Sequence, residues 1–223
     1  MSQTYGKTSW KRFALVMVPA VAATAGIGMS IAQSALAASF SVSGQSFKVT
    51  TPHLTGTNFA QFGSVDVETN GTPHVIAVSA FDHATIHNLC QSVVTDIPGL
   101  GKWTLVLNAG TAAEASGDPA ADAGQVQATN LLIDLNQLNA DATFTNINIG
   151  QDAATLKGSA TANWKNIKGD GKPTGATGFA QAADKAELKN VQQTAYATSA
   201  GTFVLPGLNL NIKQGSGAGV ECY

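Results

Sequence analysis

Four histidines, His53, His74, His83 and His87, are the side chains best suited to proton transfer or metal binding near neutral pH. His83 and His87 lie four residues apart. On a helix they would share a face and could ligate one ion. On a strand, at about 3.3 Å per residue, they stand roughly 13 Å apart, too far for one metal. The surrounding alternation favours a strand, so no metal centre is expected. Asp82 beside His83 could orient an imidazole, but adjacent strand residues point to opposite faces. Asp134 and Asp141 occupy a strand-turn-strand stretch and could approach each other as a glycosidase pair, although aspartates in such turns usually cap backbone amides. Asp118, Asp122 and Asp170 sit in loops and offer oxygens to calcium, without the spacing of a known calcium loop. The chain has no G-x-S-x-G elbow, no H-E-x-x-H, no P-loop and no dinucleotide fingerprint. Ser43 and Ser216 have glycine-rich neighbours but not the elbow's spacing. The run Gly215–Gly219 reads as a flexible approach to Cys222. These residues favour a protein without catalysis, and no cofactor is expected.

The aromatic residues are more informative. Phe59, Phe62, Phe81, Phe144, Phe179 and Phe203 stand among very small residues. Large beside small is what core packing requires. The same pattern on a curved sheet could leave a groove with aromatic walls, suited to an apolar ligand such as a lipid or sterol. Phe59, Phe62, Phe81, Phe144 and Phe179 are the candidate ligand-binding residues.

The elements that position them are strands. Apolar residues recur at period two through most of the chain, as in Val65/Val67, Leu131/Ile133/Leu135 and Leu208/Leu210/Ile212, with Thr, Ser or Asn between. Strands are predicted near 39–50, 58–68, 74–81, 84–95, 103–109, 125–137, 141–150, 186–198 and 201–213. The stretches 110–124 and 157–178 are rich in glycine and small residues and read as surface loops. A six-residue unit, Ala-x-apolar-x-Asn-aliphatic, occurs at 84–89, 142–147 and 186–191. Asparagine tolerates the left-handed region, so each unit predicts a bend or bulge after which the aliphatic residue drops onto the other face.

The first twelve residues carry Lys7, Lys11 and Arg12 and no acid, and Phe13–Ala32 is almost wholly apolar. Ala35-Leu36-Ala37 then precedes Ala38. A basic start, an apolar run and an A-x-A site form a secretory signal, with the cut after Ala37. At about 20 residues the run is also long enough to span a bilayer as an uncleaved anchor. Both readings place the rest of the chain outside the cytoplasm. Without the three N-terminal cations, nine basic residues remain, all lysine, against fourteen acids, a net charge near −5. That excludes nucleic-acid binding, which needs clustered cations. Cys90 and Cys222 are the two cysteines. An even pair in an exported chain reads as a disulfide; two buried thiols are the alternative.

Lys7–Pro19 (KTSWKRFALVMVP), Ala38–Val49 (ASFSVSGQSFKV), Asn88–Val94 (NLCQSVV) and the terminal Glu221-Cys222-Tyr223 resemble a family of exported actinobacterial proteins of unknown function. Some members carry the label cholesterol esterase. The resemblance covers essentially the whole chain. It implies a site at the membrane, a multi-span membrane protein as partner and an apolar substrate or ligand class.

The expected architecture is an N-terminal export helix over residues 1–37, as signal peptide or anchor, followed by one mainly β domain over 38–223. That domain is a single curved antiparallel sheet or sandwich, with a β-solenoid-like stack as the alternative. Three functions are open at this point. The first is a non-enzymatic envelope protein that binds an apolar ligand or a membrane partner. The second is a hydrolase of lipid or sterol esters, and the third a structural surface protein that assembles through strand edges.

Overall fold

The computed structural model describes residues 42–111, 124–158, 161 and 178–223. The export segment with Ala35, Ala37 and Ala38, most of the two loops at 110–124 and 157–178, and Asp118, Asp122 and Asp170 lie outside the described residues. The described residues form nine strands: β1 (Phe47–Val67), β2 (Pro73–His87), β3 (Leu89–Ile97), β4 (Gly101–Ala109), β5 (Val126–Thr145), β6 (Asn148–Asp152), β7 (Phe179–Ser199), β8 (Thr202–Val204) and β9 (Asn209–Gln214). A single 3-10 turn, Ala153–Thr155, follows β6.

The nine strands make one antiparallel sheet in the order β6-β7-β5-β2-β1-β3-β4-β9, with β8 beside β5. The expected single curved sheet is therefore what forms. Its curvature is complete, because β7 pairs with β1 as well as with β5, closing β1, β2, β5 and β7 into a ring. A solenoid stack is not the arrangement adopted. Stepping from Ser199 on β7 across Leu132 and Ala80 to Ala60 returns to β7 at Ala182, seventeen residues away. A barrel's girth grows with stagger as well as strand number. The stagger is what gives a ring of only four strands an interior that side chains can fill.

Long, tightly coiled strands need local kinks, and asparagine supplies them. Asn58, Asn88, Asn130, Asn146 and Asn190 all have positive φ, between 43° and 54°. Three of these are the asparagines of the six-residue units. In two of the three units, however, the expected change of face does not occur. Ala84, Ile86 and Leu89 all join the barrel core, as do Ala186, Leu188 and Val191. The left-handed residue adds one step to the strand, so strict alternation is reset and the next aliphatic residue stays inside. Three of the asparagines are held across the sheet by aspartates. Asn58 Nδ2 donates to Asp82 at 2.8 Å, Asn146 to Asp184 at 2.7 Å and Asn190 to Asp141 at 2.8 Å. Replacing Asn58 separates the two contributions. Asn58→Ala should cost about 2 kcal/mol, from left-handed strain and the lost bond, and Asn58→Gly about 1 kcal/mol, from the bond alone. Urea unfolding midpoints measure both; equal losses would show that backbone conformation is not why asparagine is there.

Two breaks predicted from sequence are absent. β1 runs unbroken through Thr51–Thr57, and β5 through Leu138–Ala140. Pro52 has no N–H to contribute, but the register places it between Asn88 and Asn190, where the ladders are already interrupted. β7 begins at Phe179, seven residues before the strand expected at 186–198. At the N-terminal end, where a strand was expected from 39, β1 begins at Phe47 and Val42 makes an isolated bridge to Glu68.

The ring has a core on each side of its wall. Inside lie Leu54, Phe59, Phe81, Ile86, Val126, Leu131, Ile133, Leu188 and Val191. Outside, Phe62, Ile76, Val78 and Leu132 are covered by Ala153 and Leu156. Of the remaining strands, β3, β4 and β9 leave the ring as a wing, while β6 pairs with β7 and β8 with β5.

Candidate functional site

Inside the ring is a cavity of about 190 Å³. Phe59, Phe81 and Phe144 line it together with Leu54, Ile133, Leu135, Leu138 and Leu188. The three rings form one group. The Phe59 centroid is 5.3 Å from that of Phe81 and 5.1 Å from that of Phe144, both tilted. These distances fall in the favourable range for aromatic pairs. Gly56 makes the arrangement possible by leaving space for the Phe81 ring, which lies against the β1 backbone. One part of the wall is polar. Gln61 donates to Ser79 Oγ at 2.9 Å, Gln181 donates to Gln61 Oε1, and Gln193 contributes a buried amide. No charged side chain lines the cavity. Ala140 and Ala142, on the partly exposed second half of β5, form its mouth.

Three of the five candidate phenylalanines therefore meet around one cavity. Phe62 does not. It is buried on the outer face with Ile76 and Val78, because it directly follows an inward-facing position of β1 and alternation turns it outward. Phe179 also lies off the cavity, exposed at the start of β7. The polar members Gln61, Ser79 and Gln193 escaped the sequence reading. Their period-two spacing with apolar neighbours was the available signal.

Cys90 and Cys222 form a disulfide, with Cα atoms 5.8 Å apart. The last three residues are fastened around it. The Glu221 carboxylate pairs with Lys48 Nζ at 2.8 Å, the Cys222 N–H donates to Ser92 Oγ at 3.1 Å, and the Tyr223 hydroxyl bonds Thr194 Oγ1 at 3.0 Å. The Lys48 ammonium chiefly holds the Glu221 carboxyl below its ordinary value; burial opposes it, and the Gly217 amide adds a weaker lowering.

The histidines and carboxylates do not assemble as one centre. His53 Nε2 pairs with Glu187 at 3.1 Å, and Lys189 is the chief reason that carboxyl titrates below its usual value. His74 pairs with Glu68 at 2.6 Å, and its ring packs tilted against that of Tyr196. His87 is buried against the His53 ring, while His83 is exposed. Asp134 and Asp141 both belong to β5, seven residues along one strand, and so stand some 20 Å apart rather than facing each other. Ser43 is exposed, and its hydroxyl accepts from the Gln45 amide. Among the described residues no group of three His, Cys, Asp or Glu side chains could hold a metal ion.

A family of unknown function, DUF6230, matches residues 43–223. No curated protein and no solved structure matches the chain.

Proposed function

The chain belongs to the DUF6230 family of unknown function, and from that premise we propose that it is a non-enzymatic protein of the cell envelope that shelters the apolar tail of a lipid inside its barrel. The observation that carries this reading is the aromatic cavity with a polar wall and no charge. Its chemistry suits an amphiphile whose polar end is a neutral hydrogen-bonding group, such as an ester, amide or hydroxyl. An ionised head would lack a counter-charge there, and burying it would be costly. Size narrows the class further. Cavities that hold drug-sized ligands span about 300–1,000 Å³, and one of about 150 Å³ holds benzene. A cavity near 190 Å³ suits part of an acyl or isoprenoid chain better than a fused four-ring sterol. Export by the N-terminal segment would deliver the protein to the membrane that supplies such a ligand.

Native mass spectrometry of the protein purified from its host without detergent is the test. An extra mass that organic extraction removes is expected. Ala142→Trp, at the partly exposed mouth, should abolish that mass while leaving the fold intact. A clean ligand-free mass for the unaltered protein would refute the proposal.

A further inference from the structure

The inner face of the sheet outlasts the ring. β1 and β2 stay in register from Ala60 opposite Ala80 to Val67 opposite Pro73, whereas β5 pairs with β2 no further than Leu135 opposite Ala77. Side chains alternate along a strand. The face that carries Gln61 and Ser79 therefore continues through Val65, Val75 and Val67. Phe179, two residues from Gln181, and Ile149, opposite Gln181, extend it onto β7 and β6. The other face is covered at this end, where Val42, Phe62, Asp66 and Ile76 are buried. The inner face is bare. Val75 is 82% exposed and Phe179 66%, with Val65, Val67 and Ile149 also open to solvent. Contiguous exposed apolar side chains on a soluble domain mark a contact surface. This strip runs directly into the cavity wall at Gln61 and Ser79.

The place where the chain joins the barrel indicates what the strip meets. Val42 bridges to Glu68, the residue after Val67, so the N-terminal portion enters at this end. The apolar run Phe13–Ala32 stops ten residues before Val42, a distance of at most about 35 Å even when extended. A membrane that holds this run is therefore within reach of the strip. The carboxylates near the strip have hydrogen-bond partners: Glu68 is held by His74 Nε2 at 2.6 Å and Asn70 Nδ2 at 2.8 Å, and Asp152, opposite Phe179, accepts from the Ala154 amide at 2.9 Å. The turn beyond Glu68, Thr69–Thr72, is uncharged.

We infer that the tips of β1, β2, β6 and β7 dock on a lipid bilayer through Val65, Val67, Val75, Ile149 and Phe179, and that the barrel cavity fills from that bilayer. The filling rests on the function proposed above; the docking does not. In the full chain, Val75→Trp and Leu210→Trp report on the strip and on β9, which lies toward the opposite end of β1. Each variant is mixed with phosphatidylcholine vesicles, with or without bromine on the acyl chains, and the emission of the unaltered protein is subtracted. Interfacial side chains reach about 5–10 Å into the headgroup boundary, so bromine should quench the Val75→Trp signal about threefold more than the Leu210→Trp signal. Equal quenching at the two positions, or none at Val75→Trp, overturns the docking. Dimer formation without quenching overturns it as well and assigns the strip to a second copy. The lipid content of the same samples is read by mass spectrometry. Quenching without bound lipid would leave the docking standing and refute the cavity's role.

Discussion

Cys222→Ser should lower the stability of the folded protein by about 5 kcal/mol in urea or thermal unfolding. The Cys90–Cys222 bridge closes a loop with a sequence separation of 132 residues. In the chain-entropy model such a closure removes about 5 kcal/mol of freedom from the unfolded chain. The other bonds of the C-terminus are too weak to substitute. The Lys48–Glu221 pair is partly solvated, with Lys48 one-third exposed, and pairs of that kind contribute about 1 kcal/mol or less. The Ser92 and Thr194 hydrogen bonds add about 1 kcal/mol each. They depend on the bridge to keep the tail in place. Since domains are typically stable by about 5–15 kcal/mol, losing the bridge removes a large fraction of the total. Reductant should reproduce the loss in the unaltered protein and have no further effect on Cys222→Ser. A loss under about 1 kcal/mol would mean that the tail and β3 stay together without the cross-link.

Strand content was legible because period-two alternation is local. The left-handed positions at Asn88, Asn146 and Asn190 were legible for the same reason, since asparagine tolerates φ near +50°. The cysteine pair needed only parity and compartment. What stayed hidden depends on partners distant in sequence. Alternation divides β1 into two faces, but the pairing of β1 with β7, more than a hundred residues later, decides which face is enclosed. Phe59 and Phe62 therefore read alike in sequence yet lie on opposite sides of the wall. The break expected between residues 50 and 58 does not form, although proline and glycine both weaken a strand taken alone. In the fold, Pro52 occupies a row already broken by two asparagines, and Gly56 lies where a β-carbon would overlap the Phe81 ring.

Gly56 makes the sharpest steric demand on the cavity. A β-carbon at this position would overlap Cδ1 of Phe81 and come within 2.9 Å of Cε1 and 3.1 Å of Cγ. The φ of Gly56 is not positive, so the cost of substitution is contact, not backbone strain. The ring has little room to move, being 1% exposed and packed against Phe59. Gly56→Ala should therefore destabilise the protein by about 3 kcal/mol, the upper end for overpacking a core. Phe81→Ala alone should cost about 4 kcal/mol through the void it leaves. In that background the clash is gone, so adding Gly56→Ala should cost almost nothing, a coupling of about 3 kcal/mol in a double-mutant cycle. Additive losses would show that the two residues do not constrain each other. The cavity supplies a second readout. With Phe59 and the β1 backbone fixed, the open space beside the Phe81 ring is the cavity it lines. A ring displaced by Gly56→Ala moves into the volume assigned to the lipid tail, so this variant should lose bound lipid along with stability. The double variant, which has no ring to displace, should keep the lipid despite its lower stability.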